Sequence, residues 1–281
     1  MTAVNTLSDE DIKYVTELTQ EAGRLAVNMR SGVCIREKTG PQDIVTAADL
    51  ELSKLIVERL RARFAGDAIV SEEDEQHEIK TLPERLWLVD PIDGTDNYVS
   101  NDGQYSVMVG LLENCKPIFG WVYAPAIKTT YRGGPGWGAW RQTEDQPPHQ
   151  YQKLSPSLDL SGNARVMMGF RDRKSHPWVK DHPKVTLVKA GSIGLKVAKV
   201  LDNQADVFVH LSGKLKTWDT AGPAAIALGG FLEVGCLEGD ELIFPLPSIR
   251  HPDSVIIGRP GALAWSRTYL RQKSTDVPPQ S

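Results

Sequence analysis

The feature that most constrains this chain is an apolar strand that ends in two closely spaced acids, Trp87-Leu88-Val89-Asp90-Pro91-Ile92-Asp93-Gly94-Thr95. A run of Trp, Leu and Val is typical of a buried strand. Pro91 and Gly94 then predict a tight turn, so that Asp90 and Asp93 point at one place. Converging carboxylates provide the oxygen ligands that Mg²⁺ prefers. The segment therefore predicts a metal site at a strand end, although two acids in a turn could equally serve as caps.

The residues that follow bear on phosphate binding. If Thr95 opens a helix, the free N–H groups of the first turn form a cradle for phosphate, and Gly94 lets the backbone approach such a ligand. Thr95 could also simply cap that helix. Gly191 and Ser192 precede another helical pattern, with Lys196 one turn in. This arrangement suits an anion, although an N-cap role explains Ser192 equally well.

Three more acids lie at the ends or starts of predicted elements. Glu72 follows the short apolar strand 68–70 and begins a run of four acids. Such runs are usually solvated loops, but the strand-end position makes Glu72 a candidate metal ligand. Thr46 and Asp49 have the spacing of a capping box, yet an acid at this place could instead orient a nucleophilic water. Asp219 lies in the first turn of a late helix, where the helix dipole alone favours an acid.

Composition excludes several classes of protein. The chain has 36 acidic and 32 basic residues among 281, so we expect no basic surface for a nucleic-acid polymer. Three scattered cysteines do not form a disulfide framework, and six histidines lack metal-ligand spacing. No apolar run approaches the ~20 residues that span a bilayer, and residues 1–15 lack the pattern of a signal peptide. We therefore expect a cytoplasmic protein without a membrane partner.

The order of periodic segments predicts an α/β layered (α+β) chain in two packed halves. We place the metal-binding motifs in an N-terminal α+β half, residues 1–150, and the elements that complete the active site in a C-terminal α/β half, residues 151–281. The polar, Pro-containing stretch 142–161 marks the boundary, and 38–43 is a second polar connection. The predicted helices are 8–32, 46–64, 192–201, 217–228 and 262–270. The predicted strands are 68–70, 86–89, 105–112, 118–123, 129–131, 139–140, 165–170, 185–188, 205–209, 231–234, 241–244 and 255–257.

Four segments together resemble the inositol monophosphatase superfamily. Its two signatures correspond to Asp90–Thr95 and Trp218–Gly222, while Ser71–Glu73 and Asp43–Asp49 resemble its upstream acid and helix-start segments. They occur in the expected order over most of the chain. The resemblance implies the alternating α-β-α-β-α sandwich of inositol monophosphatase and fructose-1,6-bisphosphatase. It also implies a Mg²⁺-dependent phosphatase, with lithium sensitivity and a homodimer as further expectations.

The same resemblance implies roles for individual residues. The metal ligands would be four carboxylates and one carbonyl: Glu72, Asp90, Ile92, Asp93 and Asp219. Thr95 and Asp49 would orient the attacking water, so that Thr95, Asp49 and Glu72 form the catalytic set. Substrate binding would involve the backbone of Gly94 and Thr95 together with the metal ligands Asp93 and Asp219, and from the residues themselves we add Gly191, Ser192 and Lys196.

Several stretches resemble the 3′(2′),5′-bisphosphate nucleotidase (CysQ) branch of this superfamily: 88–91, 110–112, 116–125 and 191–196. They favour hydrolysis of 3′-phosphoadenosine 5′-phosphate to AMP and phosphate. Asp96-Asn97-Tyr98 matches neither this branch nor the inositol phosphatases. The alternatives are therefore an inositol-1-phosphate or sugar-phosphate phosphatase, and a catalytically silent relative that only binds phosphate. The complete acid set argues against the silent relative.

Overall fold

The computed structural model describes residues 7–30, 35–40, 43–74, 77, 79, 82–239 and 241–271. Within these ranges the chain forms helices α1 (Asp9–Met29), α2 (Ala47–Arg63), α3 (Thr95–Ser100), α4 (Phe170–Ser175), α5 (Ile193–Leu201), α6 (Thr217–Gly229) and α7 (Ala262–Tyr269). The strands are β1 (Ile35–Gly40), β2 (Asp43–Thr46), β3 (Ala68–Ser71), β4 (Arg85–Asp93), β5 (Ser106–Glu113), β6 (Lys116–Ala124), β7 (Thr129–Gly134), β8 (Gly138–Thr143), β9 (His149–Gln150), β10 (Ala164–Met167), β11 (Val185–Val188), β12 (Val207–His210), β13 (Glu233–Gly235) and β14 (Val255–Gly258). None of these helices has the length and apolar character that crossing a bilayer requires.

The elements stack as five alternating layers. A seven-stranded sheet, β3-β4-β5-β6-β7-β8-β9, lies between the α1–α2 pair and the α5–α6 pair. A five-stranded sheet, β11-β10-β12-β14-β13, follows on the other side of α5 and α6, and α7 covers its outer face. The predicted α-β-α-β-α sandwich is confirmed. Among the strands described for the large sheet, only β3 and β4 are parallel neighbours, so the expected antiparallel character of the first half is also confirmed.

Side-chain alternation along the strands explains this layering. In β4, Trp87 and Val89 face the core beneath α1 and α2, whereas Leu86 and Leu88 face α5 and α6. Phe208 of β12 faces the α5–α6 layer, and its neighbours on the strand face α7. Successive side chains of a strand point to opposite faces. A strand that is apolar at every position therefore requires a covering layer on both sides.

Local signals define the helix starts as predicted. Ser8 caps α1, and its hydroxyl accepts a bond from the Asp11 N–H at 3.1 Å while Asp11 bonds back to the Ser8 backbone. Thr46 and Asp49 form the same reciprocal box at α2. Such a box satisfies two N–H groups that the helix leaves without a partner. The first helix ends at Met29, and the predicted extension beyond residue 30 lies outside the described residues.

Three predicted elements differ from the structure. The strand expected at 165–170 stops at Met167, because Gly169 caps α4, a helix the sequence did not indicate. The stretch 241–244 is not a strand; the backbone carbonyl of Ile243 is 2.9 Å from the His251 ring and takes no part in a strand ladder. The polar connection 38–43 includes the ends of β1 and β2, which pair antiparallel.

The division at residue 150 stays a proposal about folding units. It falls between β9, the last strand of the large sheet, and β10, which belongs to the small sheet. Helix α6 follows this point in the chain yet packs on strands β4 to β8. The first turn of α6 is thereby brought to the edge where β3 and β4 end.

Glycines allow α6 to approach the large sheet this closely. A Cβ at Gly120 would lie 2.1 Å from the carbonyl oxygen of Gly222, and one at Gly222 would lie 2.7 Å from the carbonyl of Val109. Neither neighbour is a flexible side chain, so the helix itself would have to move. The glycines therefore fix the height of α6, and of Asp219, above the strands.

We expect Gly120→Ala to destabilise the protein by about 3 kcal/mol, the upper end of ordinary overpacking, because backbone has to yield. Chemical denaturation monitored by Trp fluorescence measures this change. Gly66→Ala is the matched control, since nothing lies within 4 Å of its added Cβ, and its effect should stay within about 0.5 kcal/mol. Equal stability of the two variants would contradict the close approach.

Candidate active site

A cavity of about 1300 Å³ opens where β3 and β4 end and α3, α5 and α6 begin. Eight of the eleven residues predicted for the site line it: Glu72, Ile92, Asp93, Gly94, Thr95, Gly191, Lys196 and Asp219. Asp49, Asp90 and Ser192 are almost fully buried and lie outside the lining set. The structure thus brings together residues that are up to 170 positions apart in the chain.

Strand geometry places the first acids. The strands β3 and β4 run parallel with Ser71 opposite Val89, and the Glu72 N–H donates to the Val89 carbonyl at 3.0 Å. Parallel neighbours end at the same edge of a sheet, so Glu72 and Asp90 follow side by side. The pairing of β4 with β5 is irregular between Asp90 and Asp93. Such an irregularity re-aims side chains.

Asp90 is the most buried of these acids, with 1% of its surface exposed. Its Oδ1 has no hydrogen-bond partner. Burial raises the pKa of Asp90 well above its usual range, and the charges of Glu72 and Asp93 raise it further. A buried carboxylate oxygen without a partner is costly. The arrangement is one that a cation would stabilise.

Asp219 and Asp93 have the same electrostatic character. Burial raises the pKa of Asp219 well above its usual range, with Glu72 and Asp93 contributing, although the Lys216 N–H donates to Asp219 at 2.7 Å. Burial also raises the pKa of Asp93, and Lys196 opposes this shift. The Gly194 N–H donates to Asp93 Oδ2 at 3.1 Å, which ties the end of β4 to α5.

The donor set fits Mg²⁺ in chemistry, but the coordination sphere is not preformed. Within the described ranges, no three Asp, Glu, His or Cys side chains are already placed to hold one metal ion. The acids nevertheless lie close enough to raise each other's pKa, and Asp90 keeps an oxygen without a partner. The assignment of Glu72, Asp90, Ile92, Asp93 and Asp219 as ligands therefore stays a proposal that this cluster supports.

Thr95 and Asp49 meet as the sequence predicted. The Thr95 hydroxyl lies 3.4 Å from Asp49 Oδ1 and 3.2 Å from the Ile92 carbonyl. The other oxygen of Asp49 accepts bonds from the Thr46 backbone N–H at 2.8 Å and from the Thr46 hydroxyl at 2.5 Å. Asp49 thus caps α2 with Oδ2 and faces Thr95 with Oδ1. The capping interpretation of Asp49 is confirmed, and its role in orienting a nucleophilic water stays a prediction that its contact with Thr95 supports.

The turn at Gly94 requires glycine. Its φ of +93° is in the left-handed region, and it caps α3, which begins at Thr95 as predicted. Gly191 approaches the same place from α5: a Cβ there would lie 2.3 Å from the Gln104 carbonyl oxygen. Both glycines line the cavity. This is compatible with the predicted phosphate side of the site.

Ser192 and Lys196 differ in their surroundings. The Ser192 hydroxyl is fully buried, pairs with the Ser106 hydroxyl at 2.7 Å and accepts from the Leu195 N–H at 3.1 Å. It therefore supports the start of α5 and does not line the cavity. Lys196 donates to the Gly191 carbonyl. Burial lowers the pKa of Lys196 to about 8, with Asp93 opposing the shift and Arg173 adding to it.

Apart from Lys196, the sequence interpretation missed the basic side chains that line this cavity. The overall acidic balance gave no reason to expect a positive surface, yet residues from four segments collect at the opening. The segment 171–174, which has three basic residues and one aspartate, was the one local signal. Six basic side chains line the cavity and have no carboxylate within ion-pair distance in the part of the chain that the structure describes: Arg171, Arg173, Lys174, Lys189, Lys214 and Arg250.

Comparison with known proteins extends these observations. The profile of the inositol monophosphatase family matches residues 8–236. The 3′(2′),5′-bisphosphate nucleotidase CysQ of Salmonella typhimurium is 29% identical over 246 residues, which cover 86% of this chain and 97% of that protein. The inositol-1-monophosphatase of Bacillus subtilis is 27% identical over 241 residues, covering 80% and 84% of the two chains.

A solved IMPase/NADP phosphatase complexed with Mg²⁺ and phosphate has a TM-score of 0.76 at 21% identity, and the match covers 94% of this chain and 96% of that one. At that identity the likeness shows the fold alone. The family profile spans every acidic motif described above, from Asp49 to Asp219. The chain therefore belongs to the inositol monophosphatase family of phosphomonoesterases.

Proposed function

We propose that the protein is a Mg²⁺-dependent phosphatase that hydrolyses 3′-phosphoadenosine 5′-phosphate to AMP and phosphate. The observation that carries this proposal is a cavity lined both by carboxylates and by basic side chains that have no ion-pair partner among the described residues. The carboxylates suit divalent cations at the scissile phosphate. The basic side chains suit a second anionic group on the same substrate, because uncompensated charge in a cleft attracts the opposite charge.

Five groups would hold the metal: the carboxylates of Glu72, Asp90, Asp93 and Asp219 and the Ile92 carbonyl. When bound, Mg²⁺ activates water and neutralises charge on the leaving oxygen. The Thr95 hydroxyl faces Asp49, so its lone pairs can accept a hydrogen bond from the attacking water, and a proton that the water gives to Thr95 is balanced by transfer of the Thr95 hydroxyl proton to Asp49. Asp49 then keeps that hydroxyl oriented. The N–H groups of Gly94 and Thr95 would bind phosphate oxygens, and Lys196, close to Asp93, would add positive charge.

The experiment that tests this proposal is phosphate release from purified protein with Mg²⁺, and with EDTA as the metal-free control. We expect kcat/KM for 3′-phosphoadenosine 5′-phosphate to exceed that for inositol 1-phosphate by at least about 10-fold, because each good charge-assisted contact contributes about 1.5–3 kcal/mol. Fructose 1,6-bisphosphate, which has a second phosphate but no base, should lie between them. A higher kcat/KM for inositol 1-phosphate would overturn the substrate assignment and leave the phosphatase activity intact.

The second candidate is an inositol-1-phosphate phosphatase on the same site. The similarity to the Bacillus subtilis inositol-1-monophosphatase favours it, while six cations around the opening exceed what a monophosphate requires. A silent relative is disfavoured, because each acid implied by the motifs is present. Cytoplasmic location, lithium sensitivity and a homodimer stay predictions.

A further inference from the structure

Phe170 stands out among the apolar side chains of the described residues. Its side chain is 70% exposed, more than that of any other large hydrophobic residue there. Single exposed apolar residues are common on protein surfaces, but Phe170 lines the same cavity as the acids. An exposed phenyl ring beside a cationic cleft offers a flat surface to a planar, charged ligand.

The helix that carries Phe170 is fixed to the small sheet. Asp172 in the first turn of α4 is buried, with 2% of its surface exposed. It accepts bonds from the backbone N–H groups of Leu211 at 2.9 Å and Ser212 at 3.1 Å, and from the Ser212 hydroxyl. A buried, fully engaged carboxylate holds α4 against the end of β12. The ring therefore stands on a rigid element, which lowers the entropy lost when a ligand binds.

Arg173 shares the cavity-facing side of the same helix. Residues three positions apart lie on one face of a helix, and both Phe170 and Arg173 line the cavity. Arg173 is half-buried, has no carboxylate within ion-pair distance among the described residues, and lies close enough to Lys196 to affect its ionisation. Arg173 is thus a half-buried guanidinium that lines the cavity near Lys196, with no carboxylate partner among the described residues.

We propose that α4 recognises the non-reacting part of the substrate, with Phe170 stacking on a nucleobase and Arg173 binding a second phosphate. Asp172 is the positioning residue for both. This inference rests on the proposed phosphatase function, and it assigns the substrate class, a nucleoside bisphosphate, to particular side chains. A guanidinium binds two phosphate oxygens at once, and a phenyl ring stacks on any base.

The test uses Phe170→Leu and Arg173→Gln, with Phe231→Leu and Arg61→Gln as matched controls. Phe231 is also exposed, at 53%, and neither control residue lines the cavity. The first readout is equilibrium binding of AMP, which retains the base and one phosphate and needs no turnover. The second is KM with Mg²⁺ for adenosine 3′,5′-bisphosphate, adenosine 3′-monophosphate and fructose 1,6-bisphosphate.

We expect Phe170→Leu to weaken AMP binding about 10-fold, within the range that loss of base stacking causes. It should raise KM for both adenosine substrates and change KM for fructose 1,6-bisphosphate by less than 2-fold. Arg173→Gln should raise KM for both bisphosphates about 10-fold, the loss expected for a hydrogen bond to a charged group, and should affect the 3′-monophosphate least. The two controls should leave all of these values unchanged.

The outcomes separate this inference from the proposed function. If wild-type protein does not hydrolyse the bisphosphate nucleotide, the proposed function fails whatever the variants do. If wild-type protein prefers it while Phe170→Leu and Arg173→Gln behave like their controls, only the role of α4 is wrong. A Phe170→Leu variant that changes the oligomeric state and leaves AMP affinity unchanged would assign the ring to a subunit contact and overturn the stacking role.

Discussion

Asp90→Asn is expected to abolish most turnover while it stabilises the metal-free protein. A neutral amide is a weaker Mg²⁺ ligand than a carboxylate. Loss of a residue that only supports a metal ligand lowers activity by up to about 100-fold, so loss of a ligand itself should lower kcat by at least about 100-fold. Without metal, burial and the neighbouring acids disfavour the ionised form of Asp90 in the folded protein and raise its pKa. Removing that charge should raise Tm by about 3 °C for each kcal/mol of repulsion relieved.

The sign of the pH dependence follows from the same charge. The pKa of Asp90 in the folded protein is raised above its ordinary value of 3.8. The unfolded chain therefore ionises first, and metal-free stability falls as pH rises from about 3.8 through the raised pKa. Asparagine does not titrate, so the stability of Asp90→Asn should not show the part of this fall that ionisation of Asp90 causes. At neutral pH with EDTA it should melt above the wild type.

Thermal melts with EDTA and with Mg²⁺ measure both effects. Wild-type protein should gain stability with Mg²⁺, since a ligand that binds only the folded state raises its stability, and the variant should gain much less. Asp145→Asn is the control, because Asp145 is exposed and its φ of +68° suits asparagine. Near-wild-type turnover and an undiminished Mg²⁺ shift in Asp90→Asn would contradict the metal assignment.

Thr95→Val should lower kcat by about 10² to 10⁴-fold, the range for loss of a positioned proton-transfer group. Valine keeps the shape and the backbone N–H of residue 95 but removes the hydroxyl that faces Asp49. KM should change little, because phosphate would still bind to the backbone N–H groups. Steady-state kinetics with 3′-phosphoadenosine 5′-phosphate and Mg²⁺ gives both values.

Two further variants separate catalysis from folding. Thr95→Ser retains a hydroxyl and should recover most of kcat. Asp49→Asn should lower kcat and stability together, since Asp49 also caps α2 through bonds from Thr46, and caps contribute about 0.5–2 kcal/mol. Equal activity of Thr95→Val and Thr95→Ser would show that the hydroxyl does not orient the water.

Much of the fold followed from neighbouring residues. The capping boxes at Ser8 and Thr46 set the starts of α1 and α2 within one residue, because a cap depends on side chains only three positions apart. Unbroken apolar runs such as 86–89 indicated strands covered on both faces. The strand predicted at 241–244 was wrong. Leu242 and Phe244 pack a loop against the core, and a local apolar pattern does not show whether the backbone pairs with another strand.

For the candidate active site, too, the sequence determined some features and the tertiary structure decided others. The sequence by itself determined that Asp90 and Asp93 lie together at a strand end, because these two acids and Gly94 are neighbours in one short segment. Only the tertiary structure decided that Asp219, on a helix that follows in the second half of the chain, reaches the end of β4, since this depends on how closely α6 packs on the sheet. The basic side chains around the opening come from separate segments of the chain. The net negative charge does not reveal them, because it is a sum over all residues and does not show where each charge lies in the fold.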